Sequence, residues 1–502
     1  MSDFGCFVVN VQNPLSKVVI IGGGPAGLTG AYELQRGDPS IKSVVLEAGV
    51  IVGGIARTES HRGYRFDIGG HRFFTKVSEV EQVWQAVMGE DFITVPRLSR
   101  IYYRDKFYDY PLKPMNALRN IGLYETFRIV ASLLRYKIFP HRREETFEQW
   151  VVNRFGYRLY SHFFKSYTEK VWGVPCTEIR ADWAAQRIKN LSLFKAVWNA
   201  FTGANDTASL IEEFKYPRLG PGQMWEKMAS ILQDNGAEVR MQAWVKRVIH
   251  QDMRVTGVEV CQKDPGTGAI RTYIEAGDAF INSMPLRELV HCMDPPPPPE
   301  VIAAADKLKY RDFMIVTLVL DHADPFPDNW IYIHTAHAFV GRIQNFRAWS
   351  AAMVPEPNRS SIGMEYFCND TDALWAMSDA DLIKLAGQEL EYIGLAPASS
   401  VVDGAIIRQP KAYPVYDSEY QGALDVLKAW MNGFTNFQTV GRNGLHRYNN
   451  QDHSMLSAML AARNILGERH DVWEVNVERS YHEEFQTKPF QRQSPEVAVA
   501  AE

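Results

Sequence analysis

Apolar positions along this chain fall into two rhythms, one for strands and one for helices. KVVIIGGGPAGLTGAYELQ runs apolar without a break, turns on glycines and continues at three-and-four spacing. A buried strand, a glycine turn and a helix are expected in that order. SVVLEAG is a second apolar strand that closes on an acid. After residue 113 the helical spacing takes over, in ALRNIGLYETFRIVASLLRYKIF and TFEQWVVNRFGYRLYSHFFKSY, and is expected to persist to about Ala204. Strand-like runs return in GAEVRMQAWVKRVIH, RVTGVEVCQ and AFINSM. Between about Arg311 and Tyr366, FMIVTLVL, WIYIHT and IGMEYF predict a further sheet. VGRNGLHRYNNQDHSMLSAMLAARNIL reads as a glycine turn leading into a helix. The run PPPPP at 295–299 is stiff and cannot donate backbone hydrogen bonds, so it marks a boundary. The tail from Gln486, rich in Pro, Gln and Ala, is expected to fray.

These elements predict an α/β chain: a Rossmann-like dinucleotide-binding domain, a helical insertion domain and a second domain with an antiparallel or mixed sheet. The dinucleotide-binding part is expected in three pieces, 14–96, 205–300 and 426–485. Between them fall cofactor or substrate strands at 97–112, helices at 113–204 and a substrate sheet at 301–425, with 486–502 as the frayed end. A length of 502 residues agrees with more than one core. The net charge of −5 gives no overall basic footprint for nucleic acid or an anionic membrane. Five scattered cysteines without a CxxC pair argue against a disulfide framework or a zinc site and fit a reducing compartment. The start lacks the pattern of a signal peptide, and no apolar run approaches the ~18 residues of a membrane span. A soluble, cytoplasmic protein is expected. Its oligomeric state is left open, a homo-oligomer included.

The first glycine turn carries chemistry. Gly22, Gly24 and Gly27 spell G-x-G-x-x-G between strand and helix, and Glu47 ends the next strand twenty residues past Gly27. Gly22 permits the tight turn, Gly24 lets a pyrophosphate approach the backbone, and Gly27 lets helix and strand pack closely. The helix N-terminus adds partial positive charge, and Glu47 would accept from ribose hydroxyls. GVIVGGIARTES then supplies Gly53, Gly54 and Arg57. That second glycine pair with a basic residue resembles the extension along which flavoproteins run the diphosphate and ribityl chain, so FAD is the expected dinucleotide.

Four further blocks, FDIGGHRFF, KSYTEKVWGVP, KAYPVYDSEY and GRNGLHRYNNQDHS, resemble in order and spacing the signature blocks of UDP-galactopyranose mutases. These are FAD enzymes within the amine oxidase and protoporphyrinogen oxidase superfamily, and the likeness runs from about Val18 to Leu466. The resemblance implies that reduced FAD attacks the anomeric carbon of a nucleotide sugar such as UDP-galactose. The pyranose and furanose rings then interconvert with no net redox change, in the making of a cell-surface glycan precursor. Gly69 and Gly70 would bring bare backbone to the flavin's reactive edge, with His71 over the ring face. Arg342 and Arg187 match the family's diphosphate-binding arginines, and Tyr332, Tyr413 and Tyr448 match its diphosphate-gripping tyrosines. Trp172 and Thr168 would lie near the sugar–flavin junction; each of these aromatic side chains also reads as an ordinary core ring.

In the last block Arg442, Asn450 and Asp452 would meet the flavin, Asp452 doubling as a helix cap. Arg97, Ser99 and Tyr110 stand where eukaryotic-type mutases contact NADPH, with Lys113 replacing their glutamine, which implies NAD(P)H as reductant. Arg72 departs from the family pattern, where an apolar residue follows the histidine. The rival reading is an oxidoreductase on the same FAD domain, of the amine oxidase, desaturase or protoporphyrinogen oxidase kind. Such an enzyme needs an apolar substrate tunnel rather than arginines and tyrosines gathered about one diphosphate.

Overall fold

The first apolar run, Lys17–Ile21 (β1), forms the centre of a five-stranded parallel sheet, flanked by Lys42–Leu46 (β2) on one side and Ala279–Asn282 on the other. Glu238–Arg240 and Phe437–Thr439 close the edges. A central parallel strand is covered on both faces, and Val18, Val19 and Ile20 are accordingly fully buried. This is a computed structural model, and it describes residues 15–110, 114–181 and 213–476. Helix Pro25–Gly37 (α1) follows the glycine turn and packs against Gln451–Ile465, so the first and last pieces of the chain share one core with Gly222–Asp234. The helix after the proline run, Pro299–Asp306, still sits in that core through Val301, Ala304 and Ala305, and the core changes only after Leu308.

The second sheet has seven strands in the order Val401–Pro414, Tyr310–Leu320, Ser360–Cys368, Arg342–Asn345, Trp330–Ile333, Ser99–Tyr103 and Lys106–Asp109. Only the pair between Trp330–Ile333 and Ser99–Tyr103 is parallel, so the sheet is mixed. Its longest inner strand, Tyr310–Leu320, second in that order, obeys a period of two. Met314, Val316 and Leu318 face a core with helix Asp379–Tyr392, while Phe313 and Ile315 face Phe66 and Ile68 of the FDIGG segment. Register sets Glu365 opposite both Ile315 and Arg342, so Arg342 also stands on the FDIGG side.

The helical block contains Leu123–Ile138, Phe147–Leu159, a π-helical turn at Tyr160–Lys165 and Ser166–Trp172. Thr146 and Gln149 cap the second of these reciprocally. The predicted helical stretch beyond residue 181, with Arg187, lies outside the described residues, as do Lys113 and the tail from Gln486. Trp172 belongs to the core of this block, against which Tyr332, Tyr413 and Tyr448 also pack. Tyr332 and Tyr413 pack against the sheet core as well, so they mark the seam between helices and sheet. Among the described residues no helix is long and apolar enough to cross a membrane, and no group of three or more His, Cys, Asp or Glu is placed to hold a metal ion.

Candidate functional site

The glycine turn is built tightly. A Cβ on Gly27 would stand 1.8 Å from the Gly22 carbonyl oxygen, so only glycine lets α1 come this close to the turn. A Cβ on Gly24 would make only ordinary contact, with Gly54 Cα nearest at 3.6 Å, so protein packing alone does not require glycine there. The Gly53 N–H donates to the Gly23 carbonyl at 2.8 Å, which folds the second glycine pair against the first. Gly24 is the N-cap of α1 and offers no side-chain cap, leaving the first-turn N–H groups facing outward. Glu47 accepts from the N–H groups of Gly23 and Gly49, both at 2.6 Å, so its carboxylate is fixed at the end of β2. Arg57 is committed to its own surroundings, donating to Glu59 at 2.6 Å and to the Gly54 carbonyl and Gln409 at 2.8 Å. A bare cradle, an open helix N-terminus and an anchored acid fit the diphosphate and ribose of a bound dinucleotide.

The last block closes on this cradle. A Cβ on Gly441 would lie 3.0 Å from Ala26 Cβ, in the first turn of α1. Asn450 is the N-cap of Gln451–Ile465, and its N–H donates to His453 at 3.3 Å. Asp452 is not the cap: it is buried within the first turn, with His453 Nδ1 3.3 Å away. Arg442 donates to the carbonyls of Asn449 at 2.8 Å and Ala412 at 3.1 Å, and its guanidinium lies over the rings of Tyr448 and Tyr413.

The second constellation is assembled from far-apart stretches. Strand register sets Tyr332 opposite Arg342 and Arg342 opposite Glu365, one row across three strands on the FDIGG side. Glu365 is fully buried and accepts from Arg342 Nε at 2.7 and 2.8 Å and from Nη2 at 2.7 Å. Nη1 is left beside the bare backbone, 3.6 Å from where a Cβ on Gly70 would stand. Gly69 has φ +94°, which strains any side chain, although a Cβ there would make only ordinary contact with Arg342 and the His71 ring. Gln344 donates to Glu365 at 2.5 Å and turns its buried carbonyl oxygen toward Gly70.

Around Arg342 the phenols converge. Tyr413 stacks on Tyr448 with centroids 5.5 Å apart, and Trp172 meets both at 6.2 and 6.0 Å. Tyr332 takes Tyr167 edge-on at 5.6 Å and Tyr110 at 5.1 Å. Burial disfavours the Arg342 cation, but Glu365, and after it Tyr413, Tyr167 and Tyr332, carry its pKa above the ordinary arginine value. Burial likewise raises the phenols of Tyr413 and Tyr167, so both remain O–H donors. His71 is held down to about 4, first by burial and then by Arg442, and its Nε2 bonds the Ile68 carbonyl at 2.8 Å. It is therefore a neutral ring near neutral pH.

Of the other predicted residues, Thr168 is buried beside Tyr167 on Ser166–Trp172. Ser99 is spent on its hairpin, its hydroxyl donating to the Tyr110 carbonyl at 3.1 Å. Arg97 lies over the rings of Tyr110 and Trp330 at 5.7 and 5.4 Å. Three members were missed in the sequence. Tyr167 sits inside the KSYTEKVWG block already singled out. Glu365 is an acid within the wholly buried strand Ser360–Cys368, and a charge there needs a partner. Lys170, one turn past Tyr167, donates to the carbonyls of Ile333, Thr335, Ala338 and Val340 at 2.8–3.1 Å.

A family model described as an NAD(P)-binding Rossmann-like domain matches residues 20–87. Reduced UDP-galactopyranose mutase superposes with a TM-score of 0.79 at 20% identity, over 92% of this chain and 98% of that one. A provisionally named protoporphyrinogen oxidase from Exiguobacterium sp. 255-15 gives 0.66 at 16% identity, over 90% and 98%. Putrescine oxidase bound to putrescine gives 0.60 at 17%, over 90% and 99%. At these identities it is architecture that is shared. The likeness read from four sequence blocks thus returns in three dimensions: the chain has a Rossmann-like dinucleotide-binding domain with further sheets and helices, in the fold of UDP-galactopyranose mutase.

Proposed function

We propose that the protein is an FAD-dependent mutase that interconverts the pyranose and furanose forms of a nucleotide sugar. The observation that carries this reading is the convergence of Arg342, Arg442 and the phenols of Tyr167, Tyr332, Tyr413 and Tyr448 beside the side-chain-free backbone of Gly69–Gly70. Gly22, Gly24, Gly27, Glu47, Gly53 and Gly54 would hold the FAD diphosphate and ribose, and Arg442, Asn450 and Asp452 would approach it from the last block. Reduced FAD, when bound, supplies the nucleophile for the anomeric carbon.

The chain's own residues then have separable tasks. Arg342 enters the site already oriented by Glu365 and offers Nη1 to a phosphate oxygen. That ion pair is nearly charge-neutral, so the surplus positive charge for a diphosphate falls to Arg442, whose hydrogen bonds go to carbonyls, and to Arg187. The tyrosines donate O–H groups to the same anion as it leaves and returns. His71, uncharged, presents a ring face without competing for phosphate. Arg97 and Tyr110 would take a nicotinamide dinucleotide as the reductant.

The test is incubation of dithionite-reduced protein with UDP-, dTDP- and GDP-linked sugars, followed by chromatography for the furanose. Conversion is expected only with the reduced protein and without stoichiometric oxygen or NADPH. No furanose from any donor, with steady peroxide from an amine or a porphyrinogen, overturns it in favour of an oxidase. Arg342→Ala should weaken binding of the free nucleoside diphosphate by about 2–4 kcal/mol, measured by titration calorimetry. Unchanged affinity removes Arg342 from the site.

A further inference from the structure

Helix Leu123–Ile138 is amphipathic twice over. Its inner face is pinned to the protein by buried Ile129 and Leu133 and by Glu125, which accepts from Arg158 at 2.6 Å and meets His162 Nε2 at 2.9 Å. Its outer face is also apolar: Leu123, Phe127, Val130, Leu134 and Ile138 are 84, 73, 42, 56 and 67% exposed. At 100° per residue these five fall within a single narrow stripe along the axis. A stripe of that length, about 24 Å over sixteen residues, is more than scattered surface hydrophobicity.

The flanks decide what it meets. Arg128 and Arg135 line one side of the stripe and Lys137 the other, and exposed Arg142 and Arg143 follow. Between residues 123 and 143 there are five Lys or Arg and one acid, Glu125, which Arg128 shares at 3.3 Å with inward Arg158 and His162; Arg143 pairs with Glu145, past that window, at 3.8 Å. A chain of net charge −5 thus concentrates positive charge beside its most exposed apolar helix. Two copies of this face brought together about a twofold would set like charge against like. An anionic lipid leaflet meets both features: the stripe enters the boundary between headgroups and acyl chains, and the flanking cations reach the phosphates. We propose that Leu123–Ile138 is a peripheral docking surface for anionic lipid, set on the helical block and independent of the catalytic reading.

The experiment is co-sedimentation of the full-length protein with vesicles of phosphatidylcholine alone or mixed with phosphatidylglycerol, at low and high salt, alongside size-exclusion chromatography with light scattering. Binding is expected to the anionic vesicles, weakened by salt. Phe127→Ser with Leu134→Ser should abolish it while leaving the thermal melt unchanged, since both side chains are exposed. Arg128→Glu with Arg135→Glu and Lys137→Glu, which leaves the stripe intact, should lower binding by about fivefold or more per cation. No sedimentation with either vesicle overturns the proposal. So does a dimer that Phe127→Ser with Leu134→Ser dissociates in a protein that ignores vesicles, or hydroxyl-radical footprinting that finds the stripe covered by the chain's own residues 182–212.

Discussion

The cradle around Gly22–Gly27 and the arginine–tyrosine cluster around Arg342 sit in one molecule but are made in opposite ways. The cradle is written almost contiguously, and its geometry is a matter of backbone: glycines, one helix end and one acid holding two N–H groups. The cluster draws on the helical block, four strands and the last glycine turn, and its geometry is a matter of side chains held by other side chains. The first therefore fails where an added atom has no room, as at Gly27, whereas the second fails where a partner is lost.

That contrast can be broken from either side. The largest effect is expected at Gly27→Ala, whose Cβ has no room beside the Gly22 carbonyl. Stability should fall by more than about 3 kcal/mol in a urea melt, with no flavin retained on purification. Gly24→Ala is the control: its Cβ makes only ordinary contact, so the protein should fold within about 1 kcal/mol of wild type yet lose its flavin absorbance. Equal damage from both would mean that the open face of Gly24 is not a ligand surface.

Next comes the lost partner. Glu365→Ala leaves the Arg342 guanidinium without its buried counter-ion and should cost about 3–5 kcal/mol, again by urea melt, while flavin content stays near wild type. Loss of flavin in parallel would merge the two regions into one unit.

The smallest and most selective effect is acid. His71 is held down to about 4 and His334 to about 3, both by burial first, and both lie at the cluster, His334 stacked on Tyr167. Their folded pKa values are below the unfolded ~6.5, so the unfolded chain binds the extra protons as pH falls. Stability from these neutral rings is complete above pH 6.5 and is lost from there toward pH 4 for His71 and pH 3 for His334, by up to about 1.4 kcal/mol per pH unit for well-buried His334 and less for half-buried His71. Hydrogen exchange between pH 7 and 5 should therefore open residues 66–74 and 330–345 before residues 17–37. Uniform loss of protection would refute the assignment.

The same contrast explains what the sequence disclosed. β1, the glycine turn and α1 follow from periodicity and three glycines because the turn itself is local, even though both elements are buried by distant ones. The pairing of Arg342 with Glu365 joins one residue on each of two strands, and only sheet register makes them neighbours. A lone acid within SSIGMEYFC was the available signal. Asn450 rather than Asp452 caps the final helix because it is the last residue with extended backbone, a distinction of two positions that composition does not resolve. A net charge of −5 is silent on distribution: five Lys or Arg and one acid fall between residues 123 and 143.

Lys170 ties two of these scales together. Its ammonium gathers four carbonyls, one at the end of Trp330–Ile333 and three from the loop that precedes Arg342, while its own helix carries Tyr167 and Trp172. Loop and helix are thereby geared: a tilt of one is transmitted to the other through a single nitrogen. Shortening or neutralising that one side chain would leave every contact residue in place and yet let the two walls of the site drift independently.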